Sequence, residues 1–134
     1  MKALFDTNVL LAAFLTEGVC AKLLTRARKQ QFNLITCSFI LHAFERILTK
    51  KFSATKQEKE NALALITEAA PNIAHPSETP TGPCRDKDDD NILACALEAD
   101  SDYLVTGDKD LLQMKAFRGI LIITPRDFEL LFDN

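Results

Sequence analysis

The chain predicts an α/β fold with one mostly parallel central sheet, on three observations. Short apolar runs alternate almost throughout with longer segments whose apolar residues recur at helical spacing. Acidic and hydroxyl residues fall where the apolar runs end or the helical segments begin, the rim where such sheets place their sites. The 134 residues, 47% hydrophobic and 26% charged, have the length and balance of one ordinary globular domain, taken here as residues 1–134.

Ala3 to Phe5 read as a short buried strand ending at Asp6. From Val19 onward, Val19, Leu23, Leu24 and Ala27 form a helical face, opposite Lys22, Arg26, Lys29 and Gln30. Asn33 to Cys37 form a second strand. Ser38 is the expected N-cap of the helix that follows, whose Ile40, Leu41, Phe44, Ile47 and Leu48 make one stripe. Thr55-Lys56-Gln57-Glu58 matches a capping box and opens a helix carrying Ala62, Leu63, Ile66, Ala69 and Ala70, ended by Pro71. Asn72 to His75 read as a third strand. Pro76 to Pro83, with three prolines and one glycine, reads as a loop. A helix runs from about Asp89 to Asp100. Tyr103 to Thr106 make a fourth strand broken by Gly107, where the chain is expected to turn sharply. Ile120 to Ile123 make a fifth, and Thr124-Pro125 starts a short last helix with proline in its first turn. The expected sheet is therefore five-stranded, with helices on both faces.

The net charge of −3 excludes a globally basic nucleic-acid binder, so any grip on nucleic acid is local. Arg26, Arg28 and Lys29, or Arg46, Lys50 and Lys51, are the candidate basic patches; such runs are ordinarily solvated faces. Cys20, Cys37, Cys84 and Cys95 contain no C-x-x-C pair, and three lie in apolar or helical patterns. They favour a reduced protein with buried thiols over a disulfide framework or a zinc site. The chain enters strand pattern at once, with no charged-then-apolar leader, and its apolar runs fall short of a membrane span. The expectation is a cytoplasmic protein that does not engage membranes.

The chemistry lies in the acidic residues. Asp6 ends the first strand, where a carboxylate beside buried surface is costly unless a cation meets it; a cap on the amides of Asn8 and Val9 fits equally well. Glu45 sits at the edge of its helix's apolar stripe, able to reach a crevice or stay in solvent, and Thr49 one turn on offers no ion pair. Asp86, Asp88, Asp89 and Asp90 crowd the start of a helix that is otherwise apolar. The helix dipole favours acids there, but four exceed what capping needs. Asp89 or Asp90 is the better ligand, and Asp86 reads as a loop or cap residue. Asp108 follows Gly107 just past the fourth strand. It and Asp110 each pass singly for turn aspartates. Jointly, carboxylates at one rim repel unless a divalent cation joins them. The set reads as a Mg²⁺ or Mn²⁺ site, chemistry that usually acts on phosphate. His42 and His75 have no nucleophile motif beside them, and neither G-x-x-x-x-G-K nor G-x-G-x-x-G occurs.

Asp6-Thr7-Asn8-Val9-Leu10 resembles the opening motif of PIN-domain nucleases. Ser38 with Glu45-Arg46-Ile47-Leu48 is similar to their second motif, Arg85 to Leu93 to their third, and Leu104 to Leu112 to their fourth. Each motif is short, but the ordered set spans nearly the whole chain. Its length and acidic third motif look most like the VapC-like branch, the toxins of toxin–antitoxin pairs. The resemblance implies a three-layer α/β/α fold and a Mg²⁺- or Mn²⁺-dependent endoribonuclease. It implies an antitoxin protein as partner and leaves a homodimer open. It carries the metal-binding and catalytic roles to Asp6, Glu45, the Asp89/Asp90 pair and Asp108, with a lean to Asp90, and the supporting roles to Asn8 and Thr106. Two rivals stand beside it. One is a non-catalytic RNA- or protein-binding module on the same fold, disfavoured because all four acidic positions remain. The other is an aspartyl-phosphate phosphatase, disfavoured because Asn8 stands where that chemistry needs a second Asp.

Overall fold

The computed structural model describes residues 1–75 and 87–132. The expected loop from Pro76 to Pro83, Cys84 and Asp86 lie outside them. Strand β1 (Lys2–Phe5) leads to helices α1 (Thr7–Leu15) and α2 (Val19–Arg28), then β2 (Asn33–Cys37), α3 (Ser38–Phe52), α4 (Lys56–Ala69) and β3 (Ile73–Ala74). After the undescribed stretch come α5 (Lys87–Glu98), β4 (Tyr103–Val105), α6 (Lys109–Met114), β5 (Ala116–Phe117), β6 (Ile120–Ile123) and α7 (Pro125–Leu130).

The sheet order is β3-β2-β1-β4-β6-β5. Every pairing is parallel except β5 with β6. Ala3, Leu4 and Phe5 are all fully buried, and successive strand residues point to opposite faces, so helices cover β1 on both sides. On one face Phe5 packs against Phe32 and, edge-on, against Phe128 of α7. On the other, Cys37 of β2 is bonded to Cys95 of α5. The chain moves outward from β1 through β2 to β3, then crosses to β4 on β1's other side. The strand order thus reverses between β1 and β4. Open α/β sheets bind ligands at such a reversal, beyond the carboxyl ends of the strands.

Local sequence explains most element ends. The Glu58 amide donates to Thr55 Oγ1 (3.1 Å) and the Thr55 amide donates to Glu58 Oε1 (2.9 Å), so both halves of the capping box form. The Asp127 amide donates to Thr124 Oγ1 at the start of α7. Helix α4 closes at Ala69, with Ala70 as its C-cap just before Pro71.

Four expectations are corrected. The sheet has six strands, because Ala116–Phe117 folds back on β6 through Arg118 and Gly119, both at positive φ (49° and 85°). That is the pairing a two-residue hairpin turn of the primed type allows, and two residues are too few to show strand periodicity. Ser38 is the first helical residue rather than the N-cap; Cys37 holds that place without a side-chain cap bond. Cys37 and Cys95, 58 residues apart, form a disulfide instead of two separate thiols; Cys20 is a free buried cysteine. Gly107 is not at positive φ, and a Cβ there would meet no atom within 4 Å, so the turn does not depend on glycine. Among the described residues no single helix is long and apolar enough to cross a membrane.

Candidate active site at the carboxyl rim

The site begins with what β1 and β4 do to the residues that follow them. Asp6 comes one residue after β1 and is the N-cap of α1. Its Oδ1 accepts from the Val9 amide at 2.9 Å, so the cap reading holds. The same side chain is only 4% exposed, and its other oxygen accepts a short hydrogen bond from the Thr106 hydroxyl. Thr106 follows β4 directly and is fully buried. Its Oγ1 in turn accepts from the Asp108 amide at 3.0 Å. One hydroxyl therefore links the ends of the two strands at the reversal.

Asp108 is the N-cap of α6, its Oδ1 accepting from the amides of Asp110 (2.8 Å) and Leu111 (3.2 Å). Asp89 comes from the first turn of α5 and is buried. Carboxylate oxygens of Asp89, Asp108 and Asp110 all lie within 4.8 Å of one another. Asp6, Asn8, Asp88, Asp89 and Asp108 line one cleft of about 170 Å³, walled by Phe39, Arg46 and Ile92. That is smaller than the pockets that bury organic ligands.

The electrostatics follow from burial. Desolvation lifts the Asp6 carboxyl above its ordinary value, against the hydrogen bonds from Thr106 and Val9, and the nearby Asp108 charge lifts it further. The same field reaches Cys20, whose thiol is pushed up by burial and then by Asp6. A hard divalent cation fits this donor set. The donors are oxygens, several are carboxylates, and their crowding is costly without a positive charge between them.

Of the residues named from sequence, Asp6, Asn8, Asp89 and Asp108 line the cleft, and Thr106 is held beneath it through Asp6. Glu45 is placed elsewhere: it is half-buried and lines the neighbouring groove with His42, Arg46, Thr49 and Lys50. Asp90 is buried one residue on from Asp89 and does not line the cleft. Successive side chains on a helix diverge by about 100°, and within the acidic run Asp88 and Asp89 reach the cleft. Two site features escaped the sequence reading. Asp110, taken for a turn residue, joins Asp89 and Asp108; the Asp-x-Asp spacing at a helix start was the available signal. Arg46, taken only for a patch residue, is on the cleft wall.

No curated protein gives a significant match to the chain. Among solved structures, it is similar to a chain in the crystal structure of VapBC2 from Rickettsia felis bound to a DNA fragment from their promoter. The TM-score is 0.68 at 17% identity, with 92% of this chain and 98% of that one covered, which establishes a shared fold. The PIN-domain family model matches residues 2–110, a span that runs from β1 through β4 to Asp108 and Asp110. The strand ends that assemble the cleft therefore all fall within the matched region, and the chain belongs to the PIN-domain family.

Proposed function

We propose that the protein is a Mg²⁺- or Mn²⁺-dependent endoribonuclease acting in the cytoplasm as the toxin of a toxin–antitoxin pair. The observation that carries the chemistry is the convergence of Asp89, Asp108 and Asp110 within 4.8 Å beside buried Asp6. Asp6, Asp89 and Asp108 would hold the ion, with Asp110 at the outer edge. Geometry favours Asp89 over Asp90 for this role. Glu45 would have to contribute from the adjoining groove. When bound, the cation acidifies a water and neutralises charge on the scissile phosphate. Thr106 fixes the rotamer of Asp6 by donating to one of its oxygens, while the Val9 amide holds the other. Likeness to a chain of a VapBC2 assembly supports an antitoxin partner.

Purified protein should cleave single-stranded RNA with Mg²⁺ or Mn²⁺ and stop when EDTA is added. Asp6→Asn should lower the rate ~1000-fold, the several kcal/mol that metal chemistry supplies. Cleavage that persists in EDTA would reject the mechanism. The partner is tested by co-expressing the neighbouring reading frame and asking whether its product co-purifies and suppresses cleavage.

A further inference from the structure

A second groove adjoins the acidic cleft. It lies open on α3, where the described residues lining it are His42, Glu45, Arg46, Thr49 and Lys50, and has a volume of about 290 Å³. Arg46 lines both the groove and the cleft, so the two meet at its side chain. His42, Arg46 and Lys50 recur every four residues. That spacing sets an imidazole, a guanidinium and an ammonium along one side of the helix, about 6 Å apart in rise. All three are exposed, and among the described residues Arg46 and Lys50 are in no ion pair. The two arginines of the other basic run are paired with carboxylates. Both Nε and Nη2 of Arg26 bond Glu129, and Arg28 reaches Glu68 at 3.7 Å.

We infer that this groove is a nucleotide subsite. It takes the RNA residue flanking the scissile bond, with Arg46 on the connecting phosphate, Lys50 on the next phosphate and the His42 ring against a base. The inference rests on the ribonuclease reading and names how the substrate lies. Arginine at the shared wall suits a phosphate that must sit between the two depressions, because its planar fork binds phosphate in a fixed orientation. Lysine further out suits a looser backbone contact. Histidine supplies a flat ring in a chain with one Tyr and no Trp, and bases of unpaired RNA stack on such rings. Among the described residues lining the groove, Glu45 is the one carboxylate.

The test measures binding of a fluorescein-labelled single-stranded oligoribonucleotide to Asp6→Asn protein with Mg²⁺ present, over a range of salt. Arg46→Gln should weaken binding at least about fivefold and Lys50→Gln about threefold. Each should flatten the slope of log K against log salt by about 0.7, the loss of one single-strand phosphate contact. His42→Ala should weaken binding about tenfold without changing the slope, as a lost stacking contact does. Arg118→Ala, at the amino-end rim and against the Phe117 ring, should change neither. Unchanged slopes in both the Arg46 and Lys50 variants, with melting temperatures intact, would overturn the subsite. Absence of RNA binding by the parent protein would overturn it together with the ribonuclease reading. Binding with these slopes but no cleavage by wild type would support the groove and sink that reading alone.

Discussion

Two carboxylates on the two sides of β1 show how differently one fold treats the same functional group. Glu129 of α7 is gripped by Arg26, whose Nε lies 2.9 and 3.0 Å from its two oxygens, and by Lys22 at 3.2 Å. Those hydrogen bonds and charges hold its carboxyl below the ordinary value, the bond from Arg26 being the largest cause. Asp6 is more deeply buried, yet its described partners are a hydroxyl and backbone amides, and its nearest charged influence is another aspartate. Burial pushes it the opposite way. The fold thus pairs one carboxylate with two cations and leaves the buried one beside a second acid, the kind of perturbed group that clusters at functional sites.

The largest expected difference between the two sides is catalytic. Asp89→Asn or Asp108→Asn should reduce RNA cleavage ~1000-fold, whereas Glu129→Gln should leave the rate within about twofold. Asp90→Asn is the sharpening control. The cleft geometry expects it to cost less rate than Asp89→Asn. The reverse ranking, measured on folded protein, would move the third acidic position by one residue.

Metal binding should separate the regions next. Wild type should gain up to ~2.7 kcal/mol of stability at metal concentrations a hundredfold above Kd, seen as a rise in melting temperature. Glu129→Gln should show the same gain and Asp89→Asn much less. Equal gains in all three would disconnect the cleft from the metal.

Thr106→Val tests the hydroxyl that joins the two strand ends. It removes the donor to Asp6 and the acceptor for the Asp108 amide at once. A loss of ~10- to 100-fold in rate or metal affinity is expected, the size typical of groups that orient ligands. Wild-type kinetics in that variant would show that Asp6 needs no such support.

The smallest effect is on stability against pH, without metal, and its sign should differ between the sides. Asp6 has a folded-state value above its unfolded one. Its ionisation therefore weakens the fold at neutral pH, and the loss is relieved as pH falls through the raised value. Asp6→Asn should be the more stable protein at neutral pH, with the advantage closing in acid. Glu129 has a folded-state value below its unfolded one. Its contribution is full above the unfolded value and is lost as pH falls through the folded one. Glu129→Gln should be less stable by about 1 kcal/mol at neutral pH, less in high salt, with the deficit closing in acid. Parallel curves for the two variants would erase the contrast.

Features set by neighbours in the chain were legible in the amino-acid order. The Thr55–Glu58 box, the Thr124-Pro125 helix start and the apolar runs around Asp6 and Thr106 are local patterns, and each appears where read. Strand ends in a parallel sheet share one rim, so placing Asp6, Thr106 and Asp108 together needed only the alternation of strands and helices. The errors lie where the deciding neighbour is remote. Nothing near Cys37 signals Cys95, because one ends a strand and the other lies within the helix that covers it. Arg26 and Arg46 look alike in sequence, and only packing shows one tied to Glu129 and the other at the cleft.

The sequence by itself determined the kind and order of the elements and the acidic character of one sheet edge, since periodicity, capping and strand ends act over a few residues. Tertiary structure decided which carboxylates meet. The run from Asp88 to Asp90 fans out around a helix, and the rotation of α5 against the sheet, set by packing of its apolar residues and invisible in local pattern, turns Asp89 toward Asp108 and Asp110. The same packing sets Glu45 in the groove beside Arg46 rather than on the cleft wall.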